Sequence, residues 1–250
     1  MLKKLLKYDL RWVGKIIIVF YSLGLIFSLF ALAFANINES FFIQLISKIC
    51  AGIAMSMVIS ALFNSVLRSW VRFIQNIYKD ESYLTHTLPV EKNTIFLSKF
   101  LSAIITCLVS LIVIAVCVLI SYYSVDMVNF FKMAITEYYS LIIIALLEII
   151  FMIQVGYLGI VFGYKQNQNK LLKSIISSFV IYIVLSGLSL LLVYIYSLIF
   201  HSGNNIFNQA NISLANAKDY LYFALGVYVV YNVGLYFACI KLFNTGVDVD

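Results

Sequence analysis

Chemistry at neutral pH needs nucleophiles, bases or ligands held at working distances, and this sequence offers few of them. The two histidines, His86 and His201, fall in different connecting segments, on opposite sides of the expected topology. The four cysteines, Cys50, Cys107, Cys117 and Cys239, lie inside apolar runs and at no metal-ligand or C-x-x-C spacing. They read as small packing residues. A P-loop needs a glycine five residues before Gly-Lys and a hydroxyl residue after it, so that backbone amides and a magnesium ligand surround the phosphates. Gly14-Lys15 has Asp9 and Ile16 in those places. No H-E-x-x-H, no G-x-S-x-G and no paired carboxylates within an apolar run occur. The expectation is a chain without catalytic residues, metal site or cofactor of its own; an intramembrane hydrolase assembled from distant single residues is the disfavoured alternative.

The polar residues that remain lie within long apolar stretches. Lys48 and Glu148 are the only charges well inside them, and burying either alone costs at least about 2.5–3.5 kcal/mol on insertion scales. Glu148 stands nine residues past Tyr139, about 13 Å along a helix, and Lys48 lies about 10 Å from its outer end, within reach of the headgroups. The depths are compatible with pairing, and an ion pair or a snorkelling lysine is preferred to a substrate or proton site. Lys48, Gly52, Ser56, Ser60, Asn64 and Arg68 recur at intervals of four, a slowly winding polar stripe; Ser174, Ser178, Tyr182 and Ser186 repeat the spacing later. Small polar residues also let helices pack closely, as in Gly159-Ile160-Val161-Phe162-Gly163. On sequence alone, packing and the lining of a pathway by Ser56, Ser60, Asn64, Ser178, Tyr182 and Ser186 stay equally open.

The elements that must carry these residues follow from composition. Of 250 residues, 63% are apolar and 11% charged, with a single proline, against about 45–50% and 25% in a soluble domain. A soluble globular protein is thereby excluded. A bilayer core of about 30 Å needs about 20 apolar helical residues, because only a helix satisfies its own backbone polar groups in lipid. Six runs qualify: 16–35, 41–67, 100–122, 139–164, 174–200 and 220–240. Ahead of them, Leu2, Leu5, Leu6 and Val13 gather on one helical side while Lys3, Lys7, Arg11 and Lys15 recur every four residues on another. Residues 1–15 are therefore expected as an interfacial helix with Trp12 at the headgroups, in preference to a cleavable signal peptide. Fourteen of the 17 basic residues fall on the side of the N-terminus, so the positive-inside rule places both termini in the cytoplasm. The net charge of +6 then belongs to a face turned toward anionic lipid, and a nucleic-acid partner is not expected. The expected fold is a single all-α integral membrane domain over 1–250.

The longest cytoplasmic connection, residues 68–99, carries the proline in Asp80-Glu81-Ser82-Tyr83-Leu84-Thr85-His86-Thr87-Leu88-Pro89-Val90-Glu91-Lys92. Gln75, Tyr78, Ser82 and Thr85 stand at spacings of three and four, as on one helical side, and Leu84 and Leu88 are candidate apolar anchors for a protein groove. Pro89 lacks an amide hydrogen and can end that helix.

The order of an acidic residue, a short helical stretch, Leu-Thr-x-Thr-Leu-Pro-Val, a basic residue, Ile95 and then Ser98-Lys99 entering a span resembles the permeases of type-2 ATP-binding-cassette exporters. The interfacial helix, the six spans and the longer outer connection before span six are similar too, although the glycine common near Ser82 or Tyr83 in that pattern is absent. The resemblance implies a coupling segment at Asp80, Glu81, Leu84, Thr85, His86, Leu88 and Pro89, seated in a cytoplasmic ATPase subunit that binds ATP and Mg. It further implies a second permease copy or paralogue, spans two and five around a central route, and a bacterial cell membrane. The function expected is the membrane subunit of an ATP-driven exporter of a peptide, lipid or drug-like substrate. The alternatives are an ATPase-independent secondary transporter or channel, or a membrane assembly protein.

Overall fold

A computed structural model of the chain describes residues 2–37, 41–79, 81–87, 89–122, 139–166, 168–200 and 214–245. Its helices are α1 (Leu2–Ala35), α2 (Phe41–Tyr78), α3 (Ser82–His86), α4 (Lys92–Ser121), α5 (Tyr139–Tyr164), α6 (Lys170–Phe200) and α7 (Leu214–Thr245). All but α3 are long and apolar enough to cross a membrane, so this is a multi-pass helical membrane protein. The chain divides into two compact units, residues 1–137 and 138–250.

In the first unit α1, α2 and α4 each pack against the other two, and α3 lies against α2. The buried face of α2 runs through Ala51, Ala54, Val58, Ala61, Ser65, Ser69, Phe73 and Asn76, in steps of three or four as a helical contact face requires. It meets Asp9, Val13, Ile17, Gly24, Ser28 and Ala31 of α1. Small residues set the spacing: a Cβ on Gly24 would stand 2.6 Å from Val58 Cγ1. Hydroxyls stitch the bundle where lipid offers no water, with Tyr21 Oη and Ser110 Oγ 2.6 Å apart and Ser65 Oγ 3.2 Å from Cys107 Sγ.

The helices differ from the apolar runs in three respects. Residues 1–15 form no separate element: they run into the first span as one helix, held by the burial of Asp9, Val13 and Ile17 against the unit's other helices. The spans also outrun their apolar cores, since 68–78 continue α2 and 92–99 begin α4, leaving a connection of 79–91. Gln75 and Tyr78 consequently sit on α2 while Ser82 and Thr85 sit on α3. The chain turns between them, with the Glu81 amide donating to the Gln75 carbonyl at 3.2 Å and the Ser82 amide to the Lys79 carbonyl at 2.8 Å.

The second unit is built on α5, which packs along both α6 and α7. Phe151 and Val155 of α5 and Leu235 of α7 form its apolar core, flanked by Leu158, Ile181, Tyr182, Leu185 and Tyr231. Gly159 and Gly163 bring α5 against the backbone of α6. A Cβ on Gly159 would lie 2.7 Å from Ser178 Cα, and one on Gly163 would lie 2.5 Å from Ser174 Cα. Ser177 Oγ crosses the same seam to donate to the Gly159 carbonyl at 2.9 Å. Contact this close is how membrane helices gain dispersion energy without a hydrophobic drive.

Gly159→Ala should therefore lower the midpoint for loss of helical circular dichroism on heating in detergent, since overpacking such a seam costs about 1–3 kcal/mol. Gly226, with open space where its Cβ would be, is the control. Gly226→Ala should leave the midpoint unchanged or raise it, because alanine is up to about 1 kcal/mol better than glycine in a helix. Equal loss in both variants would contradict the packing assigned to Gly159.

Candidate functional site

The amphipathic start of α1 presents one acid on its apolar row, Asp9, one turn before Val13 and two before Ile17. Asp9 is 1% exposed. A carboxylate so deeply buried is tolerated only when paired and fully hydrogen-bonded, and the helices around it supply that. Lys99 Nζ of α4 donates to Asp9 Oδ1 at 2.5 Å, Arg72 Nε of α2 donates to the same oxygen at 3.2 Å, and Ser98 Oγ donates to Oδ2 at 3.1 Å. Lys99 also donates to the Asn76 side-chain carbonyl.

The network continues into the connection that carries α3. Arg72 Nη1 donates to both carboxylate oxygens of Glu81 at 2.8 Å, and the Asn76 amide donates to Oε2. Two carboxylates thus face two cations, and the cluster is close to neutral. Burial pushes the Glu81 carboxyl up, but hydrogen bonds from Asn76 and Arg72 and the charges of Arg72 and Lys99 outweigh it and hold the carboxyl below its ordinary value. A depressed carboxylate contributes stability above its unfolded pKa and loses that contribution as pH falls through the folded one, so this anchoring of α3 weakens in acid. Trp12 completes the cluster, with the Arg68 and Arg72 guanidiniums 5.1 and 5.2 Å from its ring centroid.

Around the cluster lies a cleft of about 290 Å³ reaching from Leu5 and Tyr8 of α1 to Leu84, Thr85 and Thr87 and to Ile95 of α4. It is at the small end of the range for small-molecule sites, and its charged groups already satisfy one another. The Thr85 hydroxyl donates to the Glu81 carbonyl at 2.9 Å. Among the described residues no three His, Cys, Asp or Glu side chains gather as a metal would require.

The expected coupling residues divide accordingly. Glu81 and the buried Thr85 turn inward, whereas Tyr83 and Leu84 are 74% and 67% exposed and Pro89 is exposed. Asp80, Leu88 and the His86 side chain lie outside the described residues, as do His201 and most of the outer connections. On α2, Ser56 is exposed and Ser60 and Asn64 are half-buried, beside the packed face, not within it. Ser56 Oγ donates to the Gly52 carbonyl at 3.0 Å, and Asn64 Nδ2 to the Ser60 carbonyl at 2.9 Å. In the second unit Ser178 belongs to the glycine seam and donates to the Ser174 carbonyl, Tyr182 donates to Glu148 Oε1 at 3.1 Å, and Ser186 donates to the Ile183 carbonyl. Lys48 is exposed on α2 of the first unit.

Asp9, Arg72, Asn76, Ser98 and Lys99 were not singled out from the sequence as a constellation. One signal was present: Asp9 is the sole acid in the first 35 residues and lies in register with Val13 and Ile17. Compared with protein-family models, characterised proteins and solved structures, the chain matches none.

Removing one partner of a buried ion pair leaves the other uncompensated, at a cost of about 3–5 kcal/mol. Lys99→Met should therefore lower the thermal midpoint in detergent, while Lys92→Met, at an exposed position on the same helix, should leave it within error. Similar midpoints in the two variants would contradict a buried network.

Proposed function

We propose that this chain is the membrane subunit of an ATP-driven exporter in a bacterial cell membrane, with both termini in the cytoplasm. In this reading it works as one of a pair of permeases, with separate cytoplasmic ATP-binding-cassette subunits binding ATP and Mg. The observation that supports it most is the character of the 79–91 connection. The sequence there resembles a coupling segment, and α3 turns Tyr83 and Leu84 outward while Glu81 ties its base to the charge cluster. A partner seated on Leu84 would act on α3, and through Glu81 and Arg72 on α2 and Asp9. Lys99 extends the same connection to α4. One push would thereby reach all three long helices of the first unit, as a rocking change of access requires.

The route is assigned in this reading to the polar row of the second span. Ser56, Ser60 and Asn64 lie outside the packed face of their bundle, and their hydroxyl and amide groups can bind and release cargo without the cost of a buried charge. Peptides, lipids and drug-like amphiphiles all fit entry from the cytoplasm or inner leaflet.

The test is co-purification with ATP-binding-cassette subunits from the same cell and measurement of ATP hydrolysis with and without this chain. Hydrolysis should respond to the chain. Glu81→Ala, Leu84→Ala and Leu88→Ala should weaken association or uncouple hydrolysis from transport, since truncating an anchor in a packed groove costs about 2 kcal/mol or more. Normal assembly and transport in all three variants would reject the assignment.

A further inference from the structure

The second unit holds a carboxylate that its own helices do not neutralise. Glu148 is the only acid within α5 and α6, and Asp219 lies near the start of α7. The unit's basic residues in the described helices and their connection, Lys165, Lys170, Lys173, Lys218 and Lys241, stand near the helix ends. Within the unit, what faces Glu148 is phenolic. Tyr182 of α6 donates to Oε1 at 3.1 Å, and the Tyr228 side chain of α7 is within hydrogen-bonding reach. Oε2 is buried and has no partner among the described residues.

A buried amide carbonyl stands nearby. Asn232 of α7 is pinned beside this point of α5 by its amide, which donates to the Leu147 carbonyl at 3.2 Å. Its side-chain carbonyl is buried and unpartnered, in a residue only 8% exposed, and the Tyr231 hydroxyl, which can donate or accept, is also buried without a partner. Aromatic surface adjoins these acceptors. Phe151, three residues beyond Glu148, has ring centroids 5.8 Å from Tyr182, 6.0 Å from Tyr228 and 6.3 Å from Tyr231. Phe151 is buried, but Glu148 and the three tyrosines are only half-buried, so part of this surface is open.

A carboxylate, a spare amide carbonyl and ring faces together favour positive charge. They suit a weakly hydrated one. A hard divalent cation takes six or more oxygens, which one carboxylate, one amide and phenols do not provide, whereas an organic cation brings apolar bulk for the rings and charge for Oε2. We propose that Glu148, with Tyr182, Tyr228, Tyr231 and Asn232, forms an intramembrane binding site for a lipophilic organic cation. The site stands apart from the exporter reading, because its binding needs neither ATP nor a partner subunit.

The probe is radiolabelled tetraphenylphosphonium, measured by equilibrium dialysis against the purified full chain in detergent, with empty micelles as the blank. Saturable binding near one equivalent per chain is expected. Glu148→Gln should weaken it at least tenfold and Tyr228→Leu severalfold, while Tyr228→Phe, which keeps the ring, should lose less than Tyr228→Leu. Triphenylphosphine oxide, similar in aromatic bulk but uncharged, should fail to displace the probe from the unmodified chain at a hundredfold excess. Displacement by the neutral compound would overturn the proposal without requiring any variant to fold. So would binding no greater than that of empty micelles, or undiminished binding by a Glu148→Gln chain of unchanged circular dichroism.

Discussion

A carboxylate closed off from water at the base of three long apolar helices constrains the whole first unit. Buried there, the Asp9 side chain needs Lys99, Arg72 and Ser98 within hydrogen-bonding distance, and these groups come from α2 and α4. The pairing therefore fixes the depth of α1 relative to both neighbours. It also accounts for the continuity of α1: a segment that turned away from the bundle would withdraw Asp9 from its partners and leave Lys99 buried alone. Ion pairs of this kind contribute little net stability compared with an apolar replacement, but they penalise any misregister heavily. Specification of register is the physical role assigned to the cluster, and α3 inherits that register through Glu81.

The second unit achieves the same end by other means. Its helices have no buried ion pair among the described residues and instead approach through missing side chains, with Gly159 and Gly163 accepting the backbone of α6 at Ser178 and Ser174. Asn232 and Cys239 tie α7 to α5 through the carbonyls of Leu147 and Gln154. Steric fit and single hydrogen bonds set this register, which leaves Glu148 free of any structural cation within its unit. The contrast gives the two acids different work: Asp9 is consumed by the architecture, while Glu148 keeps a buried oxygen without a partner among the described residues.

Hydropathy made the six spans legible, because a bilayer demands long apolar helices and little else in the chain competes with that signal. The helices run beyond those apolar runs. Residues 68–78 and 92–99 are too polar to count as lipid-facing, yet they continue their helices because the unit buries Phe73, Ile77, Ile95 and Phe96 there. The periodicity that joined Gln75 and Tyr78 to Ser82 and Thr85 ignored a turn stabilised by Glu81 reaching back to Arg72 and Asn76, an interaction between residues near in sequence but invisible to spacing. In the sequence Arg72 reads only as a cytoplasmic charge, and Lys99 as that and as part of the Ser98-Lys99 pair entering a span. Their shared partner lies 63 and 90 residues away, and no local pattern reports a contact across that distance. The serine rows were legible as rows; whether a row packs was decided by the glycines opposite it, as at Ser178.

The central claim is that Asp9 holds α3 in place through Arg72 and Glu81, so that α3 and the three long helices respond together. Amide hydrogen exchange across residues 81–87, compared between the unmodified chain and Asp9→Asn in detergent at neutral pH, tests it most directly. Loss of the Asp9 charge should accelerate exchange in that segment while the middle of α5 keeps its protection. Unchanged exchange across 81–87 in a variant confirmed to lack the charge would contradict the claim and reduce Asp9 to a local packing residue.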